Sequence, residues 1–124
     1  MDISKLNTAA LSEGGVDMEF KHPVTGAGIG AFVKLRGPDS KAYRQARDEF
    51  LREAATKKIE NPMERAEKMA MATRVACTVG FINLTIDGEE VTDAEKLYSD
   101  PGYAWIVEQV DRFIQDRSNF FPKA

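Results

Sequence analysis

Between Arg74 and Asp87 the chain carries no charged residue, and this gap constrains the fold more than any other feature. The run leading into it, Met69 to Ile82, is built mainly from Met, Ala, Val, Cys, Phe and Ile. On a helix, Met69, Thr73 and Ala76 share one face, while Met71, Val75 and Val79 point to the other side. A helix that is apolar nearly all round belongs inside a protein, with neighbours on several sides. Its Ala, Thr and Gly positions let those neighbours approach closely. The run falls short of the roughly 20 apolar residues that a membrane span needs. The expectation is a central core helix over about 62–80, passing into an apolar exit segment from Phe81 to Ile86.

Upstream, Val16–Lys21 alternates strictly, with Val16, Met18 and Phe20 opposite Asp17, Glu19 and Lys21. Ile29, Ala31, Val33 and Leu35 alternate in the same way against Lys34 and Arg36. Two period-two runs joined by a loop with Pro23, Gly26 and Gly28 predict a β-hairpin over about 16–36. A lone hairpin is marginal in water, so its apolar face must rest on helices. The segment 1–15 has only scattered apolar residues (Ile3, Leu6, Leu11) and is expected to be a flexible terminus with at most a frayed helical turn.

Gly37–Pro38 ends the second strand and offers Asp39 or Ser40 as the N-cap of a helix over about 40–59. Tyr43, Ala46, Phe50 and Ala54 recur along it at helical spacing, flanked by Leu51, Ala55 and Ile59. Asn61–Pro62 breaks it, and Pro62 suits the first turn of the next helix. So short a break predicts a helical hairpin. Leu84–Ile86 is β-prone and Asp87–Gly88 is a turn signal. Thr92 to Glu95 fits a capping box for a short helix over about 92–98. A last helix over about 101–118 follows Asp100–Pro101, with Tyr103, Ile106, Val107, Val110, Phe113, Ile114 and Arg117 in one stripe. The fold class is therefore α+β and mainly helical: one domain over 16–124, with the hairpin packed on three main helices and a short one.

A length of 124 residues, 30% charged and 43% hydrophobic, suits a single soluble domain. A net charge of −3 with interspersed signs argues against a nucleic-acid binder, which would show a basic face. The polar stretch Met1–Gly15 does not read as a secretory leader. One cysteine and one histidine provide neither an internal disulfide nor a metal-ligand set, so neither metal nor cofactor is expected, and the default compartment is a reducing cytoplasm.

Several residues invite a chemical reading. Gly26–Ala27–Gly28–Ile29–Gly30–Ala31 loosely matches a phosphate loop, but that chemistry needs a helix N-terminus after the glycines, and an alternating strand follows. His22 has no nucleophile or carboxylate pair near it in the sequence and reads as a turn residue. Cys77 lies in the most apolar helix and reads as inert core. Asp87, Glu89 and Glu90 lack the twelve-residue calcium-loop pattern. They form either a solvated acidic loop or a surface for a basic partner, and Glu89 and Glu90 are the candidates for that contact. Trp105 falls on the side of Gln109, Arg112 and Asp116, opposite the apolar stripe. It either packs beneath the Leu97–Tyr98 turn or anchors a partner, because Trp is enriched at binding hot spots. Phe120 and Phe121 pose the same choice, since burial is worth about 2–3 kcal/mol for each ring. Met18, Met63, Met69 and Met71 read as core filler or as an adaptable surface.

Taken together, the hairpin Glu19 to Gly26, then Gly37–Pro38–Asp39–Ser40 and the charged helix from about Tyr43, resemble the small tail assembly chaperones of long-tailed bacteriophages. So do Gly80–Phe81, the Ile86–Asp87–Gly88–Glu89–Glu90 turn and the ending from Val110 to Phe120. The resemblance is one of order and spacing from about Asp17 onward, and it departs at Phe81, where a Trp would follow the glycine. It implies a non-enzymatic protein of the infected host cell's cytoplasm that binds the tape measure protein, helps recruit tail tube subunits and is absent from the mature virion. It also implies covering exposed apolar helix surface with many weakly bound copies. A homo-oligomer is compatible with that role, and neither nucleic acid nor membrane enters it. Such chaperones are often made in two lengths by a −1 ribosomal frameshift. Phe121–Pro122–Lys123 is compatible with the codons UUC CCA AAA, which contain a slippery run. The rival reading is a structural virion component, such as a small head–tail connector or tail subunit.

Overall fold

The computed structural model describes residues 1–57 and 61–122. The fold is α+β and mainly helical, with a small antiparallel sheet near the N-terminus. Two strands, β1 (Val16–Lys21) and β2 (Gly28–Leu35), form the hairpin, with Val16 opposite Leu35 and Glu19 opposite Phe32. Their inward residues Met18, Phe20, Ala31, Val33 and Leu35 are buried. Ile29 was expected on that face but stays 43% exposed. Beside it Gly30 has φ +76°, a left-handed backbone that interrupts the alternation.

The hairpin is not alone. Helix α2 (Lys41–Thr56) and helix α3 (Pro62–Cys77) pack as the expected helical hairpin. The chain then turns into a third strand, β3 (Thr78–Ile82), antiparallel to β2. The helix expected to reach residue 80 thus ends at Cys77. Thr78, Val79, Phe81 and Ile82 are β-branched or aromatic residues that fit a pleated surface. The edge of β2 supplies the hydrogen-bond partners, beginning with Arg36 N–H donating to the Cys77 carbonyl at 2.7 Å. Nor is α3 central: only Thr73, Arg74 and Cys77 are buried along it, and Met63 is 74% exposed.

The central position belongs to helix α5 (Ala104–Gln115), whose Ile106, Val110 and Ile114 lie buried in the cluster formed with the sheet's inner face. Each contributes about 1.5–3 kcal/mol by leaving water. Before it, β4 (Thr85–Ile86) and β5 (Glu89–Glu90) form a small hairpin closed by Asp87 and Gly88, at φ 51° and 83°. Positive φ at both turn positions is the reason Asp-Gly serves there. Helix α4 (Ala94–Ser99) follows, capped by Asp93, whose carboxylate accepts from Lys96 N–H at 3.1 Å, rather than by Thr92. Its Leu97 and Tyr98 complete the core. Short 3-10 turns at Pro101–Tyr103 and Arg117–Phe120 bracket α5, so the last helix is shorter than the expected 101–118. Ile59 and Lys123 lie outside the described residues. Among those residues, no helix is long and apolar enough to cross a membrane.

The terminal segment docks. Helix α1 (Ala9–Gly14) buries Ser12, whose carbonyl accepts from Gly37 N–H at 3.0 Å. The Glu13 carbonyl accepts from Arg36 Nε at 3.2 Å, and the Glu13 carboxylate accepts from Lys41 N–H. Thr8 donates to Asp39 at 2.8 Å, and Arg117 pairs with the same carboxylate at 3.1 Å. These polar contacts carry no apolar period, which is why the segment looked free. Ser40, not Asp39, caps α2, accepting from Tyr43 N–H at 3.2 Å.

The hydrogen bond from Arg117, then that from Thr8, hold the Asp39 carboxyl below its ordinary range. A carboxylate stabilised only in the folded state contributes stability above its unfolded value, and that contribution disappears as pH falls through its folded value. Wild type should therefore lose more stability than Asp39→Asn between about pH 5 and pH 2. Thermal melts across that range check this, and parallel losses would show that Asp39 is not linked to folding.

Candidate partner-binding surface

One cleft runs along α5 and another lies before its start. The first is an open groove of about 550 Å³ between one side of α5 and the first hairpin. Trp105, Gln109, Arg112 and Asp116, which share one side of the helix by their spacing, all line it. Met18, Lys21, His22 and Phe113 lie along it as well. Its wall is fixed by the Gln109 amide, which accepts from Lys21 N–H at 2.9 Å and donates to Lys21 C=O at 2.8 Å. At the loop end, His22 Nδ1 accepts from Val24 N–H at 3.1 Å and Thr25 N–H at 3.3 Å, so the ring closes the turn. Asp116 accepts from Ser118 through both hydroxyl and backbone N–H, and these bonds hold its carboxyl below the ordinary range. The groove thus joins an apolar floor of Met18, Trp105 and Phe113 to a rim bearing both signs of charge.

Trp105 is placed at the edge of the core. It is half-buried and packs against the hydrophobic core while lining the groove.

The second cleft, about 710 Å³ and also open, lies between the β4–β5 hairpin, α4 and the 3-10 turn Pro101–Tyr103. Glu89 and Glu90 are exposed on β5, and Ile86, Leu97 and Tyr103 supply apolar surface. Asp93 and Asp100 are engaged by Lys96 N–H and Gly102 N–H. Among the described residues, Lys96 is the one base in the lining. The cleft therefore presents carboxylates over a partly apolar floor.

Phe120 does not belong to a binding surface. It is fully buried, its ring edge-on to Phe113 with centroids 5.7 Å apart, so its role is internal packing. Phe121 is half-buried just past the last 3-10 turn. The five residues singled out in the sequence thus fall in three places: Glu89 and Glu90 in the acidic cleft, Trp105 in the groove, and the two phenylalanines beyond α5. Gln109, Arg112 and Phe113 were not singled out as contacts, although the helical period placed the first two beside Trp105.

Cys77 and the glycine-rich turn each have an internal role. Burial pushes the Cys77 thiol up to about 11, so at neutral pH it is a protonated core group. The glycine-rich turn is met by Glu19, whose carboxylate accepts from Gly30 N–H at 3.1 Å. A phosphate approaching those amides would meet like charge. Among the described residues, no three of His, Cys, Asp and Glu gather as metal ligands. The chain matches no protein-family model, no curated protein and no solved structure.

Proposed function

We propose that this chain is a non-enzymatic tail assembly chaperone that binds the tape measure protein and helps recruit tail tube subunits around it. The groove along α5 is the observation that carries the reading: Trp105 and Phe113 form its floor and Arg112 and Asp116 its rim. An aromatic floor with a mixed-charge rim suits the apolar face of a polypeptide helix. Segments behind the family resemblance border both clefts, Ile86–Glu90 the acidic one and Arg112–Asn119 the groove. Each cleft is open and modest in size, so single contacts are weak, and many copies on one long partner supply avidity.

Capture of purified tape measure protein tests the proposal. Trp105→Ala should weaken capture by roughly 2 kcal/mol, about thirtyfold, and reversing the charge of Glu89 and Glu90 should weaken it less. Circular dichroism controls for folding, because Trp105 also packs on the core. Unchanged capture by folded variants rejects those residues as contacts, and no capture by wild type rejects the chaperone reading. The rival, a structural virion component, predicts the chain in stoichiometric amounts in purified particles.

A further inference from the structure

The turn that joins β1 to β2 is fastened at one residue. His22 donates its backbone N–H to the Ala27 carbonyl at 2.7 Å, and its own carbonyl accepts from Gly26 N–H at 2.9 Å. Its ring Nδ1 accepts from Val24 N–H and Thr25 N–H, which find no other acceptor among the described residues. A ring nitrogen that accepts carries no proton, so the neutral imidazole holds its proton on Nε2. His22, Pro23 and Gly26 all line the groove along α5, so the shape of this turn is the shape of that wall. The charged groups that share the groove with the ring are Glu19 and Lys21 on β1, with Glu108, Arg112 and Asp116 on or just past α5. Glu19 is engaged by Gly30 N–H and Asp116 by Ser118, so neither stands in for the ring as acceptor of the turn amides.

We propose that His22 is a pH-sensitive latch on the groove: charging the imidazole opens the turn and weakens the hold on a polypeptide bound there. The proton that makes an imidazolium from this tautomer goes to Nδ1. That nitrogen then becomes a donor facing two donors, and both ring hydrogen bonds are lost. Imidazoles make this change between about pH 8 and about pH 5. The event is local. The backbone bonds to Ala27 and Gly26 and the Gln109 clamp on Lys21 involve no titratable group, so β1 stays in the sheet while Pro23 and Val24 move. Two exposed bonds of 3.1 and 3.3 Å are each worth little net in water, so capture changes severalfold and does not vanish. The effect on capture rests on the tape measure reading, whereas the response of the turn does not.

Nitrogen and proton NMR of the free wild-type chain, from about pH 8 to about pH 5, reads the latch without a partner. His22 is the one histidine of the chain, so its ring signals are unambiguous. At the alkaline end the ring should be the Nε2–H tautomer. The Val24 and Thr25 amide protons should move upfield as the ring charges, along the ring's own curve. In His22→Asn those two amides should stay still, because Oδ1 is attached to Cγ as Nδ1 is, accepts the same donors and gains no proton in this range. Capture of purified tape measure protein at about pH 7.5 and about pH 5.5 reads the consequence. Wild type should bind at least about threefold more weakly at the lower value, and His22→Asn should change by less than about 1.5-fold. An Nδ1–H tautomer at the alkaline end, or turn amides that do not follow the ring, overturns the latch. So does wild-type capture that ignores pH while the ring titrates, or an equal acid loss in His22→Asn, which would place the effect on the groove's carboxylates. Failure of wild type to capture tape measure protein at either pH rejects the chaperone reading instead, and the turn's resonances then decide the latch alone.

Discussion

Replacing Phe120 by alanine should cost about 3–5 kcal/mol and lower the melting temperature by about 10–20 °C. The ring is 0% exposed and sits where four parts of the chain meet. Phe113 of α5 meets it edge-to-face at 78°. Gly37, just after β2, approaches so closely that a methyl there would lie 3.0 Å from the ring and 2.4 Å from Ser12 Oγ of α1. The fourth part is the 3-10 turn Arg117–Phe120 itself. Such surroundings are backbone and rigid ring, and they close poorly around a vacated volume, which puts the cost at the upper end for aromatic truncation. Phe121→Ala removes a half-buried ring and should cost about 1 kcal/mol. Urea unfolding followed by circular dichroism compares the two. A Phe120→Ala melt within about 5 °C of wild type would mean that the ring is not the pin described here. The comparison also bears on function, because lost partner capture in Phe120→Ala would report unfolding rather than a missing contact.

Which of two adjacent phenylalanines enters the core illustrates the reach of the sequence. Composition puts both inside, but the direction of a single 3-10 turn decides between them, and no period marks it. Features with a local cause were legible. Alternation in Val16–Lys21 gave the first strand, Asp87–Gly88 gave the small hairpin's turn, and Asn61–Pro62 gave the helical break, where the Asn61 side chain accepts from Met63 N–H at 2.9 Å. Features with a distant cause were not. The run Thr78–Ile82 is short, apolar and uncharged, a pattern shared by a buried strand and the end of a buried helix. What decides is the edge of β2, contributed by residues far upstream. The docking of α1 escaped for the same reason, since it rests on backbone groups of Ser12 and Glu13.

The groove divides along the same line. Trp105, Gln109, Arg112 and Asp116 follow from one helical period, so half of the wall could be read from the chain. The other half is the first hairpin, held against α5 by the clamp of Gln109 on Lys21, a pairing of residues 88 positions apart. No single-sequence pattern encodes such a contact.

Arg74, the last charge before the apolar run, is buried at 7% exposure. Its guanidinium donates twice to Asp111, Nε to Oδ1 at 2.7 Å and Nη2 to Oδ2 at 2.8 Å, and lies 5.7 Å from the centre of the Tyr98 ring. Thr78 Oγ1 donates to the Arg74 carbonyl and meets the Tyr98 hydroxyl at 2.7 Å, so the phenol donates to the threonine. Burial pushes the Tyr98 hydroxyl up to about 12, which keeps that proton in place. The cluster ties α3, β3, α4 and α5 together, and its two charged members should respond unequally to removal. Asp111→Ala strands a buried guanidinium with only a ring face and the Met71 sulfur nearby, and should cost about 3 kcal/mol, the low end for a broken buried pair because the Asp111 side chain is 42% exposed. Arg74→Met fills a similar volume with apolar atoms and leaves a carboxylate that water can reach, so it should cost less than about 1.5 kcal/mol. The double variant should resemble Arg74→Met rather than the sum of the two. Urea unfolding of the three variants reads this cycle. Equal losses from the two single replacements would mean that mutual attraction, and not the expense of an unpaired buried charge, governs this contact.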